Sequence, residues 1–253
     1  MAIVWRSDLA GKRYEVRSAG RSLRLYTNGA FHSQYNPGHL FSGAVWDLLT
    51  LPILFNAGSP RSVLLLGLGG GTAIHQINRL VAPDRVTAIE LDPVHIDVAR
   101  HIFGVNAPNV SLIHADAVRW LAHNRGKHDV IIDDLFVDTP DEPQRAQPVD
   151  AKWLRRLAAR TRPHGVVIQN HLSPSVARKL VRTYRSSLER HFKTVLMFTT
   201  PAYENGILAL YRDPVDKASG EKLALARISA AHTSAARRLK FKCTRLLPGQ
   251  ASM

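Results

Sequence analysis

Three carboxylates in this chain stand where an apolar run ends: Glu90 after Val86-Thr87-Ala88-Ile89, Asp116 after Val110-Ser111-Leu112-Ile113-His114-Ala115, and Asp134 after Val130-Ile131-Ile132-Asp133. A fourth apolar run, Val63-Leu64-Leu65-Leu66, ends instead in Gly67-Leu68-Gly69-Gly70-Gly71-Thr72. Glycines let the chain turn sharply and let a ligand approach the backbone, and an acid about 20 residues further on can accept both hydroxyls of a ribose. Gly67, Gly69, Gly70, Gly71 and Glu90 are therefore the candidate cofactor cradle. The dinucleotide fingerprint wants glycine or alanine where Thr72 stands, so a nucleoside without a diphosphate fits better than a nicotinamide or flavin.

These residues need particular elements to hold them. Four consecutive apolar residues suit a parallel strand buried on both faces. Ile74, Ile77 and Leu80 at helical spacing predict a helix after the turn, its amides aimed at the bound group. With strands at 86–89, 110–116 and 129–134, the pattern predicts a Rossmann-like α/β fold with a mostly parallel sheet, in which Glu90, Asp116 and Asp134 converge outside the carboxyl ends of the strands. Each has a plainer alternative. The glycines also suit simple chain reversal, Asp116 precedes a helical pattern that it would cap, and Asp134 also reads as a solvated surface acid. Asp133 should face the opposite side of its strand by period-two alternation, as a structural hydrogen-bond acceptor.

The run from Val63 to Asp134 resembles the catalytic domain of the spermidine synthases, aminopropyltransferases that share the fold of class I S-adenosylmethionine-dependent methyltransferases. Leu65 occupies the place where most methyltransferases carry an acid and spermidine synthases an apolar residue. Pro201-Ala202-Tyr203-Glu204-Asn205-Gly206 is similar to the family's Pro-x-Tyr-x-x-Gly segment, and Leu23-Arg24-Leu25-Tyr26-Thr27-Asn28-Gly29 to its N-terminal strand and turn. The resemblance implies Glu90 on the ribose, Asp116 on the adenine amino group and Asp134 as the catalytic carboxylate beside the reacting amine. It also implies S-adenosylmethionine or its decarboxylated form as co-substrate, His32 and Tyr203 on the substrate, and a homodimer.

The departures carry equal weight. Gly70 stands where the family has the acid that helps hold the donor's aminopropyl amine. Asp134-Leu135-Phe136-Val137-Asp138 replaces Asp-Ser-x-Asp-Pro, so the second acid is missing or displaced by one position. The family's glutamine falls on His32, and its Tyr-His-Glu segment falls near Phe41-Ser42-Gly43. A diamine carries two positive charges and needs carboxylates at both ends of its slot to offset desolvation. The expected acceptor is therefore a non-standard amine rather than putrescine.

Composition bounds the rest. A chain of 253 residues, 45% hydrophobic, can bury one large core. Cys243 is alone, so no internal disulfide forms, and no apolar run reaches the length of a membrane span. The opening Met1-Ala2-Ile3-Val4-Trp5-Arg6 lacks a signal-peptide core, and a cytoplasmic enzyme is expected. Twelve histidines form no His-x-His or His-Glu-x-x-His arrangement, and no Gly-x-Ser-x-Gly elbow follows a strand, so neither a metal site nor a serine hydrolase is expected.

The net charge of +14 runs against the collection of cationic amines and raises an anionic partner such as nucleic acid. Arg155, Arg156, Arg160 and Arg162 mark one basic stripe, Arg178, Lys179, Arg182, Arg185 and Arg190 another, and Lys217, Lys222, Arg227, Arg237, Arg238, Lys240, Lys242 and Arg245 a third. A solvated basic surface is the plainer account.

Along the chain, residues 1–55 are expected to form a β-hairpin extension, from 13–17 and 22–26, and a leading helix over Phe41 to Leu54. Residues 56–213 form the Rossmann-like catalytic domain, and 214–253 a basic tail or helix. Within the core, helices are expected at 152–161 and 175–192, strands at 165–169, 194–199 and 207–211, and a proline- and acid-rich loop at 137–150. Three function classes follow: an aminopropyltransferase-like enzyme with a non-standard acceptor, an S-adenosylmethionine-dependent methyltransferase, and a non-catalytic nucleoside- or nucleic-acid-binding protein.

Overall fold

A computed structural model describes residues 1–56, 58–137, 144–232, 235 and 239–247. Four antiparallel strands open the chain, β1 (Ala2–Leu9), β2 (Lys12–Ala19), β3 (Ser22–Thr27) and β4 (Ala30–Tyr35), paired in that order. The β3–β4 turn is Asn28-Gly29, both at positive φ (49° and 86°), the geometry a two-residue hairpin requires. The expected hairpin is β2–β3. Its outer neighbours went unread because β1 is exposed along almost its whole length and so lacks alternation, and β4 is half polar.

Helix α1 (Val45–Thr50) runs into a 3-10 turn at Leu51–Phe55, shorter than the helix expected from Phe41. The start is set by Asp47, whose buried carboxylate accepts from Ser42 N, Ser42 Oγ and Gly43 N (3.0, 2.9 and 2.7 Å) and fixes 41–44 as a capping loop. Burial raises the Asp47 pKa against the lowering effect of these bonds and of the Gln76 amide.

The main sheet contains β5 (Ser62–Leu66), β6 (Arg85–Glu90), β7 (Val110–His114), β8 (His128–Asp133), β11 (Thr161–His171), β12 (Thr194–Thr200), β13 (Tyr203–Tyr211) and β14 (Lys242–Leu247), in the order β14-β12-β13-β11-β8-β5-β6-β7. Strands β11, β8, β5, β6 and β7 are parallel, and β13 runs antiparallel to both β11 and β12. Every residue of β5 is buried, as its unbroken apolar run requires. The chain leaves β5 toward β6 and β7, then returns to β8 on the other side, so the switch point lies outside the ends of β5 and β8.

Helices α2 (Thr72–Leu80), α3 (Pro93–His101), α4 (Ala117–His123), α5 (Ala151–Arg160), α6 (Pro174–Thr183), α7 (Arg185–His191) and α8 (Lys217–Ala231) cover the two faces. One core joins Val63 and Leu65 to Leu48, Leu49 and Ile77, and the other joins Leu64 and Leu66 to Leu154, Leu157, Val181 and Leu188. The helix expected over 175–192 is divided at Tyr184, which follows Thr183, and both are weak helix formers. A short hairpin, β9 (Phe136–Val137) with β10 (Gln144–Arg145), projects from β8. Pro140 and Pro143 of the expected loop lie outside the described residues, as do Asp138, Arg237 and Arg238.

The C-terminal segment takes the helical option as α8, then contributes β14, which the sequence did not announce. Gly220 lets α8 approach the 3-10 turn so closely that a Cβ there would lie 2.4 Å from the Phe55 ring. No helix among the described residues is long and apolar enough to cross a membrane.

Candidate active site

The glycine loop is shaped by contacts that exclude side chains. Gly67, at φ +88°, crosses the end of β8 so closely that a Cβ would meet the Asp134 carbonyl oxygen at 2.4 Å. At Gly69 (φ +54°) the obstacle is the His32 carbonyl, and at Gly71 (φ +80°) it is the Val105 side chain. Positive φ at all three positions explains the spacing. Glu90, at the end of β6, clasps this loop: its Oε2 accepts from Leu68 N at 2.7 Å and Gly69 N at 3.2 Å, and its Oε1 accepts from Asp92 N at 2.9 Å.

The N-terminal sheet closes over this end. Thr27 Oγ1 meets His95 Nε2 at 2.8 Å, the His32 ring lies 4.8 Å from the His95 ring, and His95 Nδ1 is 3.9 Å from Glu90 Oε1. Burial lowers the His95 pKa, against the raising effect of the Glu90 charge. Asp92, the N-cap of α3, accepts from Tyr14 Oη and Lys12 Nζ at 2.8 and 3.0 Å and ties the small sheet to the larger one.

Asp134 stands one residue beyond β8, its N–H on Leu66 O at 2.9 Å. Its Oδ1 accepts from Asn170 Nδ2 at 2.8 Å, and Asn170 Oδ1 accepts from Asn205 Nδ2 at 3.0 Å. Burial pushes the Asp134 pKa up from 3.8 to about 6. The Asn170 bond and the Arg145 charge oppose that rise, and the charges of Asp133 and Glu90 add to it. Glu90 and Asp134 thus lie close enough to act on one another electrostatically, at the switch point.

Asp133 turns the other way and is fully buried. It accepts from Arg145 Nη2 (2.6 Å), Trp153 Nε1 (2.8 Å) and Gln169 Nε2 (2.8 Å), the structural acceptor that alternation predicts. Arg145 also donates to Asn170 O and lies over the Phe136 ring, locking β10 onto the site's floor.

The remaining candidates are placed differently. Asp116 caps α4, its Oδ1 accepting from Val118 N and Arg119 N at 2.8 and 3.0 Å, while Oδ2 lies 3.8 Å from Arg119 Nε. Tyr203, partly buried at the start of β13, has its pKa raised by burial and feels Arg24, Asp47 and Tyr26, so it lies against the N-terminal sheet. Gly70 is packed shut: a Cβ there would lie 2.8 Å from the Phe103 ring and 2.9 Å from Ser33 Cβ.

The fold therefore gathers Gly67, Gly69, Gly71, Glu90, His32 and Asp134, and among the described residues no hydrogen bond or ion pair joins Asp116 or Tyr203 to Asp134. Asn170 and Arg145 carry no expectation from the sequence, and Asn205 only that of belonging to the 201–206 segment. Gln169-Asn170-His171 directly after Val166-Val167-Ile168 was the available signal, three polar residues at the carboxyl end of a buried strand beside Asp133 and Asp134. No group of three or more histidine, cysteine or acidic side chains among the described residues is arranged to hold a metal ion.

Comparison with known proteins adds an independent line. Polyamine aminopropyltransferase 2 of Hyperthermus butylicus is 26% identical over 187 residues, 72% of this chain and 59% of that protein. Putrescine N-methyltransferase 1 of Nicotiana tabacum is 25% identical over 205 residues, 77% of this chain and 52% of the relative. The chain thus spans about three fifths or less of the curated relatives it matches. A probable spermidine synthase from Corynebacterium glutamicum superposes with a TM-score of 0.72 at 16% identity, covering 97% of this chain and 91% of that one, which shows the shared fold. The spermine/spermidine synthase domain model matches residues 47–212, well over half of the sequence, and the chain belongs to that family.

Proposed function

We propose that the chain is an aminopropyltransferase-like enzyme that moves an alkyl group from S-adenosylmethionine, or its decarboxylated form, to a small amine with fewer positive charges than a diamine. The observation that carries this reading is Asp134, a carboxylate with its pKa raised to about 6, anchored by Asn170, within electrostatic reach of Glu90 and packed against Gly67 of the glycine loop.

The donor half fits an adenosine. Gly67, Gly69 and Gly71 bring the backbone close, Glu90 is the ribose acceptor with His32 beside it, and the exposed oxygen of Asp116 is left for the adenine amino group. The sulfonium of such a donor supplies a carbon already attached to a good leaving group. The protein's task is then to orient the amine and remove its proton. Asp134 is ionised at neutral pH and its pKa lies nearer the working pH than that of an ordinary carboxylate, which suits a general base. Asn170 occupies Oδ1, so Oδ2 takes the ammonium proton, and the freed nitrogen lone pair then bonds to the carbon as the carbon–sulfur bond breaks and its electron pair leaves with the neutral thioether nucleoside. The family resemblance adds Tyr203 on the acceptor side.

The acceptor half explains the choice of amine. Asn170 and Asn205 are neutral, and Arg145 is spent on Asp133 and the backbone, so among the described residues here a second ammonium finds no carboxylate partner besides Asp134. A second reading, methyl transfer from intact S-adenosylmethionine, is favoured by one feature. Phe103 and Ser33 fill the space at Gly70 where an acid would hold an aminopropyl ammonium, and a family relative is named as a putrescine N-methyltransferase. Family resemblance adds a cytoplasmic homodimer to the proposal.

Mass spectrometry of the nucleoside product, after incubation with both donors and a panel of amines, separates the readings. Protein-dependent methylthioadenosine is the expected product, S-adenosylhomocysteine selects methyl transfer, and the absence of both overturns the reading.

A further inference from the structure

The chain's positive charge is concentrated on one face. Residues 151–193 hold eleven lysines and arginines against a single acid, Glu189, and so account for ten of the net fourteen charges. Helices α5, α6 and α7 lie within this stretch, on the same side of the sheet, with α7 packed against both others. Lys152, Arg155, Lys179, Arg182, Arg190 and Lys193 are exposed, and none of their side chains makes a hydrogen bond or ion pair with another described residue. Partial burial and the charges of Arg212, Arg190 and Arg155 together lower the pKa of His191, so cations from α5, α7 and the end of β13 converge.

The face has few other features. The apolar sides of the three helices, Trp153, Leu154, Leu157, Val181 and Leu188, are used in the core. The exposed large apolar residues of this stretch are Leu172 and Val176, both at the rim near the site. A helix that enters a membrane interface needs an apolar face to insert, and a protein interface needs buried aromatic or aliphatic anchors. Neither is presented. What remains is a single-sign field, dominated by arginine, whose natural complement is a row of phosphates.

The face is also continuous with the site. Strand β11 ends at His171 opposite Gly206, and Pro174, the first residue of α6, packs so closely on Gly206 that a Cβ there would lie 2.9 Å from it. Helix α6 thus starts at the rim that carries Asn170 and Asn205 and runs outward through Arg178, Lys179 and Arg182.

We propose that the α5–α6–α7 face binds the phosphate backbone of nucleic acid, without reading bases, along a track that begins at the rim of the candidate site. This inference rests on charge and packing and stands whether or not the transferase reading holds.

The test is fluorescence anisotropy of the whole chain, without donor, on a labelled duplex of about 20 base pairs and an RNA strand of similar length, from about 50 to 400 mM salt. Binding with a steep inverse salt dependence is expected. The variant Arg178→Gln/Lys179→Gln/Arg182→Gln should lose at least tenfold in affinity and flatten the log–log salt slope by roughly 2–3, about 0.9 per lost phosphate contact. Lys222→Gln/Lys240→Gln/Lys242→Gln, with the same charge change outside this face, should change neither by more than about twofold. Unchanged unfolding midpoints confirm that both variants are folded. Absence of binding at the lowest salt, equal losses in the two variants, or retention by phosphatidylserine vesicles without nucleic-acid binding would each overturn the proposal.

Discussion

Asp134→Asn is expected to make the protein more stable and inactive at once. The Asp134 carboxyl has its pKa raised from 3.8 to about 6, with burial as the leading cause. A rise of that size corresponds to about 3 kcal/mol of unfavourable ionisation in the folded state. Partial exposure and solvent relaxation reduce this to about 1–3 kcal/mol. Between these two pKa values the native state binds more protons than the unfolded state, so stability falls as pH rises from about 4 to 6 and levels off above about 7. Asparagine keeps an oxygen for Asn170 Nδ2 and carries no charge, so the variant escapes the loss. Denaturant unfolding at pH 4.5, 6 and 8 should show the variant gaining on the parent by about 1–3 kcal/mol across the series, or roughly 3–10 °C in Tm for a chain of this size. Transferase turnover at pH 8 should fall at least about 100-fold. A stability difference independent of pH would refute the argument, because it would mean that Asp134 is no harder to ionise in the folded protein than in the unfolded chain.

The other predictions concern its neighbours. Asn170→Leu removes a bond that holds the Asp134 pKa down, so the acid limb of the pH–rate profile should move up by about one pH unit; an unmoved limb assigns that limb to another group. Asp133→Ala leaves Arg145, the Trp153 indole and the Gln169 amide without their acceptor, and urea unfolding should show a loss of about 3–5 kcal/mol. Glu90→Gln weakens the clasp on Leu68 N and Gly69 N and should raise the donor Kd, measured calorimetrically, by about 10- to 100-fold. Gly70→Asp should destabilise by about 1–3 kcal/mol in urea unfolding without improving the calorimetric affinity for the decarboxylated donor.

The parallel half of the fold was legible because burial on both faces leaves a mark in sequence. Val63 to Leu66 and Val130 to Ile132 have no polar residue to interrupt them, and each stops at a group with chemical use. Strands whose partners lie far away or on one side left a weaker mark. β1 pairs only with β2 and buries almost nothing, and β14 reaches β12 after a long helical excursion, so no local periodicity announces either. Helix α1 was overextended for a different reason. The carboxylate of Asp47 takes the amides of Ser42 and Gly43, and an acid that caps backwards looks, in sequence, like one more polar residue on a helix.

The site divides along the same line. Its donor half depends on backbone geometry, and glycine spacing records backbone geometry directly: the positive φ values at Gly67, Gly69 and Gly71 and the acid at Glu90 follow from one local pattern. Its acceptor half is assembled across strands, with Asn170 from β11 and Asn205 from β13 meeting Asp134 at the end of β8, and such a meeting is visible only once strand order is known. Gly70 joins the two halves. Read alone it is a missing acid, an absence that one substitution would reverse. In the fold, Phe103 from beyond α3 and Ser33 from β4 have closed on the space, so two elements remote in sequence have adjusted to the glycine. A pocket lined in this way has its charge requirement written into the core, so the preference proposed above for a less cationic ligand should resist any single change at the surface.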